Sequence, residues 1–316
     1  MEKRYLLVLI PIFLLSLMAM LTCQTKAESL EYQIDPAKVQ IGVWLVNVEK
    51  VDLAASSYRL DFYLWFKFNP SEICLADVKK FEFVNGPVGP FTPLKENETS
   101  GYVEYRIKGD FIKTFDFTNY PFETHTLAIE LEHKELDVLH LRYIADQNST
   151  IDEAINVAGW EMGGYSATAT EHSYGDETFS RFIFSVQLRR PTLSSFVKSV
   201  LPIIVITTIS LLTFFMSPQN FGQRIGLGVT TLMSATAFHL SLLSSIPPIG
   251  YLTFADRMMI SVYIIFLYNL SVSVYIMKLV DAKKTEEAAK FNKKAMKSLV
   301  TLIIALIMIQ IILLFF

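Results

Sequence analysis

The sequence predicts an extracellular all-β sandwich followed by a bundle of four transmembrane helices. Three observations lead to this fold class. The 316 residues are 52% hydrophobic with a mean hydropathy of +0.36, which is too apolar for a chain that lies wholly in water. Apolar and polar positions alternate within residues 28–190, and four long apolar stretches follow within residues 191–316. We therefore expect a β domain over 28–190 and a membrane domain over 191–316.

The first 27 residues have the pattern of a secretory signal peptide. Lys3 and Arg4 precede an apolar run over residues 5–21, and residues 25–27 (Thr-Lys-Ala) place small residues at the first and third positions before a cut. We predict cleavage after Ala27. The alternative is an uncleaved first membrane helix, although 17 residues are at the short limit for a span.

The β domain is expected to be an immunoglobulin-like sandwich outside the membrane. From Tyr58 to Phe68, apolar side chains at every second position share one face, while Arg59, Asp61 and Lys67 lie on the other. Several short strands without a long amphipathic helix indicate a sandwich. Similar runs, separated by turns such as Asn85-Gly86-Pro87, predict further strands at 39–48, 79–84, 102–107, 126–131 and 179–188.

Composition excludes several classes of function. Residues 28–190 carry 26 acidic against 15 basic side chains, so nucleic acid is not an expected partner. After cleavage Cys74 is the single cysteine, which excludes a disulfide within one chain. Neither a nucleophile with its base, nor a metal-ligating motif, nor a phosphate-binding loop stands out, so we expect neither an enzyme nor a cofactor.

The four apolar stretches after Arg190 are long enough, or nearly so, to cross a hydrocarbon layer of about 30 Å. The connection at 280–298 contains six lysines against three acidic residues, which indicates a cytoplasmic location. A cleaved signal peptide places the β domain outside and gives the same topology. We expect the helices at about 196–216, 222–246, 255–279 and 297–316.

The second apolar stretch contains a face of mostly small or hydroxylated residues. Small polar residues within a span usually contact protein or water rather than lipid. Two interpretations remain open: a packing face within one subunit, or the wall of a water-filled pore built from several copies. The residues of this face recur at steps of three and four: Gly226, Thr230, Met233, Ala237, Leu240 and Ser244.

Motifs in both domains resemble the pentameric ligand-gated ion channel family, also called the Cys-loop receptor superfamily. Residues 222–247 resemble its pore helix without a gap. Residues 117–123 (Phe-Thr-Asn-Tyr-Pro-Phe-Glu) resemble the aromatic-Pro-aromatic-Asp signature of the loop that contacts the membrane domain. Residues 159–161 (Gly-Trp-Glu) resemble its Gly-Trp-Asp step, and Arg190 and Pro202 stand at its pre-helix arginine and first-helix proline.

The resemblance implies a homopentamer whose partners are membrane lipid, permeant ions and a small-molecule or proton agonist. Lys113 and Leu127 stand where eukaryotic members have the two cysteines of the signature loop. The chain is therefore similar to the prokaryotic branch, which lacks that disulfide. The expected location is the plasma membrane, the inner membrane of the cell, with the N-terminal domain extracellular or periplasmic.

The resemblance also implies a set of pore residues. Met233 takes the place of the family's central pore leucine, and an apolar collar there would stop ions by dewetting. The alternative is a methionine that fills a gap in a core. At the cytoplasmic mouth Gln223 matches neither the cation nor the anion motif, so only the acidic β domain favours cations. The expected pore-lining residues are Gln223, Gly226, Thr230, Met233, Ala237, Leu240, Ser241 and Ser244.

A gating interface is expected between the signature loop and the turn after the pore helix. Arg190 should pair with a carboxylate, either Glu123 or a neighbouring acid of the β domain. The alternative is an anchor to lipid headgroups, a role that Arg189 could fill equally well. The expected interface residues are Tyr120, Pro121, Phe122, Glu123, Arg190, Pro247, Pro248 and Tyr251.

Ligand recognition leaves more alternatives. Tyr143, Tyr174 and Phe179 lie near the expected binding loops and either form an aromatic box for an organic cation or are structural. The five histidines (His125, His133, His140, His172 and His239) permit proton gating. The competing hypothesis is a membrane-anchored sensor or binding protein that uses the same scaffold without conducting ions.

Overall fold

The computed structural model describes residues 35–315 of the chain, with side chains through residue 313. The predicted signal peptide lies outside the described residues. Within this range the β domain contains ten strands and one short helix, α1 (Leu75–Val78). The strands are β1 (Ala37–Asp52), β2 (Ser57–Phe68), β3 (Phe81–Phe83), β4 (Lys95–Asn97), β5 (Tyr102–Ile112), β6 (Thr124–His133), β7 (Leu141–Ala145), β8 (Thr150–Ile151), β9 (Glu161–Tyr174) and β10 (Glu177–Arg189).

The strands form two sheets that share one core. The first sheet has the order β4-β5-β2-β1-β7, with β8 also paired to β1, and the second has the order β3-β6-β10-β9. Strands β7 and β8 run parallel to β1, whereas the other described pairs are antiparallel. The predicted β-sandwich is confirmed, and its first sheet is mixed.

Strand β2 shows why this sequence folds as a sandwich. The alternating face predicted from Tyr58 to Phe68 is buried throughout. Phe62 and Phe66 contact Phe83 and Phe81 of the second sheet, at ring-centroid distances of 6.0 and 4.8 Å. Each such side chain contributes about 1.5–3 kcal/mol when removed from water. The core is therefore determined by the period-2 pattern of apolar residues.

The edge strand β9 was not predicted from the sequence. Its residues are mostly exposed, and it pairs only with β10. The strand contains Gly163 and Gly164 near its start and continues with mostly small and polar residues, so it has no apolar face that would mark a strand. Hairpin pairing with the adjacent strand β10, rather than an apolar pattern, fixes its conformation.

Four long helices follow the sandwich within the described range, and each is long and apolar enough to cross a membrane. A π-helical turn at Phe196–Val200 lies in the first helix just before Pro202, whose ring nitrogen cannot donate a backbone hydrogen bond. The helices are α2 (Thr192–Phe215), α3 (Phe221–Leu243), α4 (Phe254–Asp281) and α5 (Thr285–Phe315).

The fourth helix differs from the expectation. It begins at Thr285 rather than near residue 297, and only residues 282–284 separate it from α4. The expected cytoplasmic loop at 280–298 is therefore mostly helical. Hydropathy locates only the apolar part of a helix, whereas the Glu, Ala and Lys residues that precede it also have high helix propensity.

Buried polar contacts join the helices. The side-chain amide of Asn269 on α4 donates to the backbone carbonyl of Ser210 at 2.8 Å, and the Thr213 hydroxyl donates to Asn269 Oδ1 at 2.7 Å. All three residues are buried. Polar side chains in a membrane span require such partners, and these fix α2 against α4.

Candidate pore and gating interface

The predicted pore face of α3 is uncovered in a single subunit. Met233 and Leu240 are 68% and 64% exposed, and Gln223, Gly226, Thr230, Ala237, Ser241 and Ser244 are also exposed. The buried residues of α3 lie elsewhere on the helix: Arg224, Gly228, Thr231, Ala235 and Leu242. The small-residue face therefore does not pack within its own subunit.

Two hydroxyl groups on this face, those of Thr230 and Ser244, donate to nearby backbone carbonyls. The Thr230 hydroxyl donates to the Gly226 carbonyl at 2.9 Å, and the Ser244 hydroxyl donates to the Ser241 carbonyl at 2.7 Å. Water is therefore not needed to satisfy the hydroxyl protons, because the i−4 and i−3 carbonyls accept them. The oxygen lone pairs remain exposed and still give this face a polar surface.

The positive charge of Arg224, next to Gln223, points away from the exposed face of α3. Gln223 is exposed, whereas the neighbouring Arg224 is fully buried. The Arg224 guanidinium donates to the Met216 carbonyl at 3.2 Å and to Asn292 Oδ1 of α5 at 2.8 Å. Arg224 therefore joins three segments of the bundle and does not present its charge beside Gln223.

The predicted ion pair at the junction of the two domains is present. Arg190 Nε donates to Glu123 Oε1 at 2.9 Å, and the Glu123 side chain is only 2% exposed. The guanidinium lies 4.3 Å from the centre of the Trp160 ring. Arg189 instead pairs with Glu161 on the surface. Arg190 is thus held by the β domain and does not extend toward lipid headgroups.

The signature loop caps the start of α4. The backbone N–H of Phe254 donates to the Thr118 carbonyl at 2.8 Å, and that of Ala255 donates to the Tyr120 carbonyl at 3.1 Å. The first N–H groups of a helix have no partner within the helix, so these loop carbonyls satisfy them. The Phe122 and Phe254 rings also meet, with centroids 6.1 Å apart. The loop is therefore bonded directly to the first turn of α4.

The same loop contacts α3 and the turn that follows it. The Tyr120 hydroxyl donates to the Leu242 carbonyl near the end of α3, at 3.4 Å. The Tyr251 hydroxyl accepts the backbone N–H of Phe117 at 2.9 Å and lies 3.4 Å from Asp116 Oδ1. The expected interface residues on both sides are therefore brought together by hydrogen bonds.

The prolines of the expected interface lie in the connecting segments. Pro121 follows Tyr120 across a cis peptide bond within the loop. Pro247 is half-buried and Pro248 is exposed in the turn between α3 and α4. None of the three prolines has a backbone N–H to donate, and the turn contacts the loop through the Tyr251 hydroxyl.

A polar contact between α3 and α4 was not predicted from the sequence. One ring nitrogen of His239 lies 3.0 Å from Asp256 Oδ1, and the other lies 3.0 Å from the Tyr263 hydroxyl. Asp256 also accepts from the Thr253 hydroxyl and backbone N–H, which completes a capping box. Residue spacing within one helix carries no information about pairing across two helices.

The three aromatic residues predicted to contact ligand do not share one surface. Tyr174 and Phe179 lie together on the β9–β10 hairpin, with ring centroids 6.1 Å apart, and Arg181 donates to the Tyr174 hydroxyl at 2.7 Å. Tyr143 is 4% exposed and its ring lies in the sandwich core. A ligand at the surface cannot reach Tyr143 in this structure.

The structure adds an aromatic recess of about 450 Å³ on the first sheet. Trp44 and Tyr63 stack there with centroids 5.5 Å apart, and Trp65 Nε1 donates to Asp146 at 2.8 Å. The remaining lining residues include Lys67, Leu94, Lys95, Tyr102 and Glu104. Within residues 35–315, no group of His, Cys, Asp and Glu side chains could hold a metal ion.

Comparison with known proteins agrees with this arrangement. The family model of the neurotransmitter-gated ion-channel transmembrane region matches residues 199–310. The proton-gated ion channel of Gloeobacter violaceus is 20% identical over 255 residues, which cover 73% of this chain and 70% of that protein.

Animal receptors match smaller parts of the chain. The acetylcholine receptor subunit beta-like 2 of Drosophila melanogaster is 31% identical over 36% of this chain and 23% of its own length. The gamma-aminobutyric acid receptor subunit rho-2 of Homo sapiens is 22% identical over 49% of this chain and 35% of its own length.

The structure has a β-sandwich, four helices long enough to span a membrane and a loop that joins the two domains. The match to the proton-gated channel extends over both domains. The chain is a multi-pass membrane protein with an extracellular N-terminal domain and is not an enzyme. The matches support its assignment to the superfamily of pentameric ligand-gated ion channels, the Cys-loop superfamily.

Proposed function

We propose that this chain assembles as a homopentameric, cation-preferring channel of the prokaryotic type, in which α3 lines the pore and a small molecule or protons open it. The observation that carries the proposal is the exposed face of α3. Met233 and Leu240 are among the most exposed apolar residues of the bundle, although α3 is enclosed on its other side by its own subunit. Five copies around an axis would cover this face and enclose water between them.

Met233 is proposed as the gate. In a five-fold ring its side chains form an apolar collar, with Thr230 one turn toward the cytoplasm and Ala237 one turn toward the outside. Water leaves a narrow apolar constriction, and ions cannot cross without water. Its high exposure in the single subunit opposes the alternative role of a core methionine.

The path from the β domain to the gate is proposed to begin at Glu123 and Arg190. Their ion pair holds the signature loop to the last strand of the sandwich. The loop carbonyls bind the first turn of α4, and Tyr120 contacts the end of α3. A shift of the loop would therefore displace both helices near the outer end of the pore.

Cation preference is proposed to come from the outer domain. Its 26 acidic side chains against 15 basic ones create a negative potential that concentrates cations at the entrance. At the inner mouth Gln223 carries no charge, and Arg224 is buried away from it. The preference should therefore be modest, because salt screens the outer field over about 8 Å at physiological ionic strength.

Protons are one candidate agonist because the chain is similar to a proton-gated channel over 73% of its length. The small-molecule alternative is supported by the exposed Tyr174 and Phe179 pair on the β9–β10 hairpin, which offers ring faces to an organic cation.

Cysteine accessibility tests the pore assignment, because two adjacent threonines provide a matched pair. Thr230 is exposed and Thr231 is buried. In a Cys74→Ser background, Thr230→Cys channels in planar bilayers should lose current after a charged, water-soluble thiol reagent is added. Thr231→Cys channels should retain it. Equal effects at both positions would show that α3 has a different orientation.

The competing function is a non-conducting sensor on the same scaffold. The exposure of Met233 and Leu240 on one face of α3 favours the channel instead, because a sensor does not require such a face to be left uncovered within the subunit. A verified pentamer that conducts neither as wild type nor after Met233→Ser would favour the sensor.

A further inference from the structure

His125 lies at the centre of the junction between the two domains. It occupies the start of β6, two residues after Glu123, and only 4% of its surface is exposed. Its ring contacts those of Phe115, Phe117 and Trp160 at centroid distances of 4.8, 5.6 and 5.3 Å. Aromatic rings therefore surround an imidazole that could carry a charge.

Two buried polar atoms at this point lack hydrogen-bond partners among the described residues. They are Nε2 of His125 and Oε2 of Glu123. Nε2 lies 4.0 Å from the other oxygen of Glu123, which is just beyond hydrogen-bond distance. An unsatisfied buried polar group costs about 1–3 kcal/mol, so two of them side by side call for a physical explanation.

The surroundings keep the imidazole neutral in this arrangement. Burial, together with the positive charges of Arg190 and Lys113, lowers the pKa of His125 to about 4, against the opposing effect of Asp116. The remaining charged neighbour is Glu123, whose Oε1 already accepts a hydrogen bond from Arg190 Nε at 2.9 Å. The carboxylate is thus committed to the arginine while the histidine is uncharged.

We propose that His125 binds a proton from the extracellular solution and that the resulting imidazolium replaces Arg190 as the ion-pair partner of Glu123. The proton adds to a ring nitrogen, no covalent bond other than N–H forms, and Nε2–H then donates to the Glu123 carboxylate over the gap that now measures 4.0 Å. This inference rests on the proposed function for its consequence, the opening of the channel. The binding of the proton itself does not depend on conduction.

The direction of the pH effect follows from linkage. In the described arrangement the pKa of His125 is depressed, so the neutral form is favoured at neutral pH. In the exchanged arrangement the imidazolium contacts a carboxylate, which raises its pKa. Acidic solution therefore favours the exchanged arrangement. The exchange frees Arg190 and the signature loop, whose carbonyls at Thr118 and Tyr120 hold the first turn of α4.

Tryptophan fluorescence can detect protonation of His125 independently of whether the channel conducts. The chain has three tryptophans, and Trp44→Phe with Trp65→Phe leaves only Trp160, whose ring lies 5.3 Å from that of His125. A protonated imidazole quenches a neighbouring indole. In the purified pentamer we expect quenching as the pH falls from 7, with a midpoint between about 4 and the ordinary histidine value of about 6.5.

The variants His125→Gln and His125→Phe should abolish this titration. His125→Phe retains the aromatic packing, so it serves if the polar variant fails to assemble. His140→Gln is the matched control, because His140 is an exposed histidine of the same domain. A titration that persists in both His125 variants, or that His140→Gln abolishes, would overturn the inference.

Currents recorded in planar bilayers separate this inference from the proposed function. If His125 acts as proposed, His125→Phe should shift half-activation by at least one pH unit toward acid, while Met233→Ser in the same background still conducts. Quenching without current in any variant would support the proton site and contradict the channel. Acid-activated current that is unchanged in His125→Phe would contradict the role of His125 in gating.

Discussion

His239 on α3 and Asp256 on α4 lie 3.0 Å apart, ring nitrogen to carboxylate oxygen. Because Asp256 also caps α4 through Thr253, the contact joins α3 to the same first turn that the signature loop contacts. Helix α3 is thus connected to the β domain both directly through Tyr120 and indirectly through α4.

Replacing Asp256 by Ala should remove both of its contacts, the cap of α4 and the contact with His239. The loss of a helix cap costs about 1 kcal/mol, and the contact with His239 is lost as well. We expect a lower apparent melting temperature of the detergent-solubilised pentamer and a changed pH of half-activation. Asp281→Ala, at the exposed end of the same helix, is the control and should leave both values unchanged. Equal losses in the two variants would contradict the assignment.

The ion pair of Glu123 and Arg190 should behave as a coupled unit. Glu123→Gln and Arg190→Gln each leave a buried or half-buried polar partner without its counter-ion, and breaking a buried pair costs about 3–5 kcal/mol. The double variant removes both charges and should lose less than the two single losses combined. Thermal melting of all four proteins measures this coupling. Strictly additive losses would show that the pair does not interact.

Replacing Met233 by Ser should wet the proposed gate. We expect a higher current at rest and half-activation at weaker stimuli, measured in planar bilayers. Leu232→Ser is the comparison, because Leu232 is half-buried and packs against the core of the bundle. It should change assembly more than resting current. An identical rise in resting current at both positions would place the pore on another face of α3.

Replacing Gln223 by Glu should sharpen cation preference. Five carboxylates at the inner mouth act at close range, whereas the field of the β domain acts from a distance and weakens with salt. Reversal potentials in gradients of KCl should favour K⁺ modestly in the wild type and more strongly in the variant. Buried Arg224 supplies no opposing charge on the exposed face. A clear Cl⁻ preference of the wild type at low salt would reject this account.

The parts predicted from the sequence are those with a local pattern. Alternation along β2 and apolar length in α2 to α4 each reflect one element and its surroundings, so the sandwich and the first three spans were found close to their observed bounds. Strand β9 and the early start of α5 were missed. Pairing with β10 fixes the strand, and about three helical turns rich in Lys and Glu precede the apolar part of α5.

In the candidate site, too, the sequence predicted the contacts that a local motif marks and missed those between separate elements. The Arg190 and Glu123 pair was expected from the motif, and the structure contains it. The contacts of His239 with Asp256 and of His125 with Trp160 cross from one element to another, and nothing in residue spacing marks them. Tyr143 was a candidate for an aromatic box, with a structural role as the alternative, and its position on β7 turns the ring into the core.

The central claim is that five copies of this chain enclose a conducting pore along α3. The most direct measurement is single-channel recording in planar bilayers from purified protein whose pentameric mass has been verified in detergent. We predict discrete openings whose frequency increases when the extracellular side is acidified or an agonist is added. In Met233→Ser channels the openings should be frequent without any stimulus. A verified pentamer that shows no openings in either protein, or a protein found only as a monomer or dimer, would contradict the account.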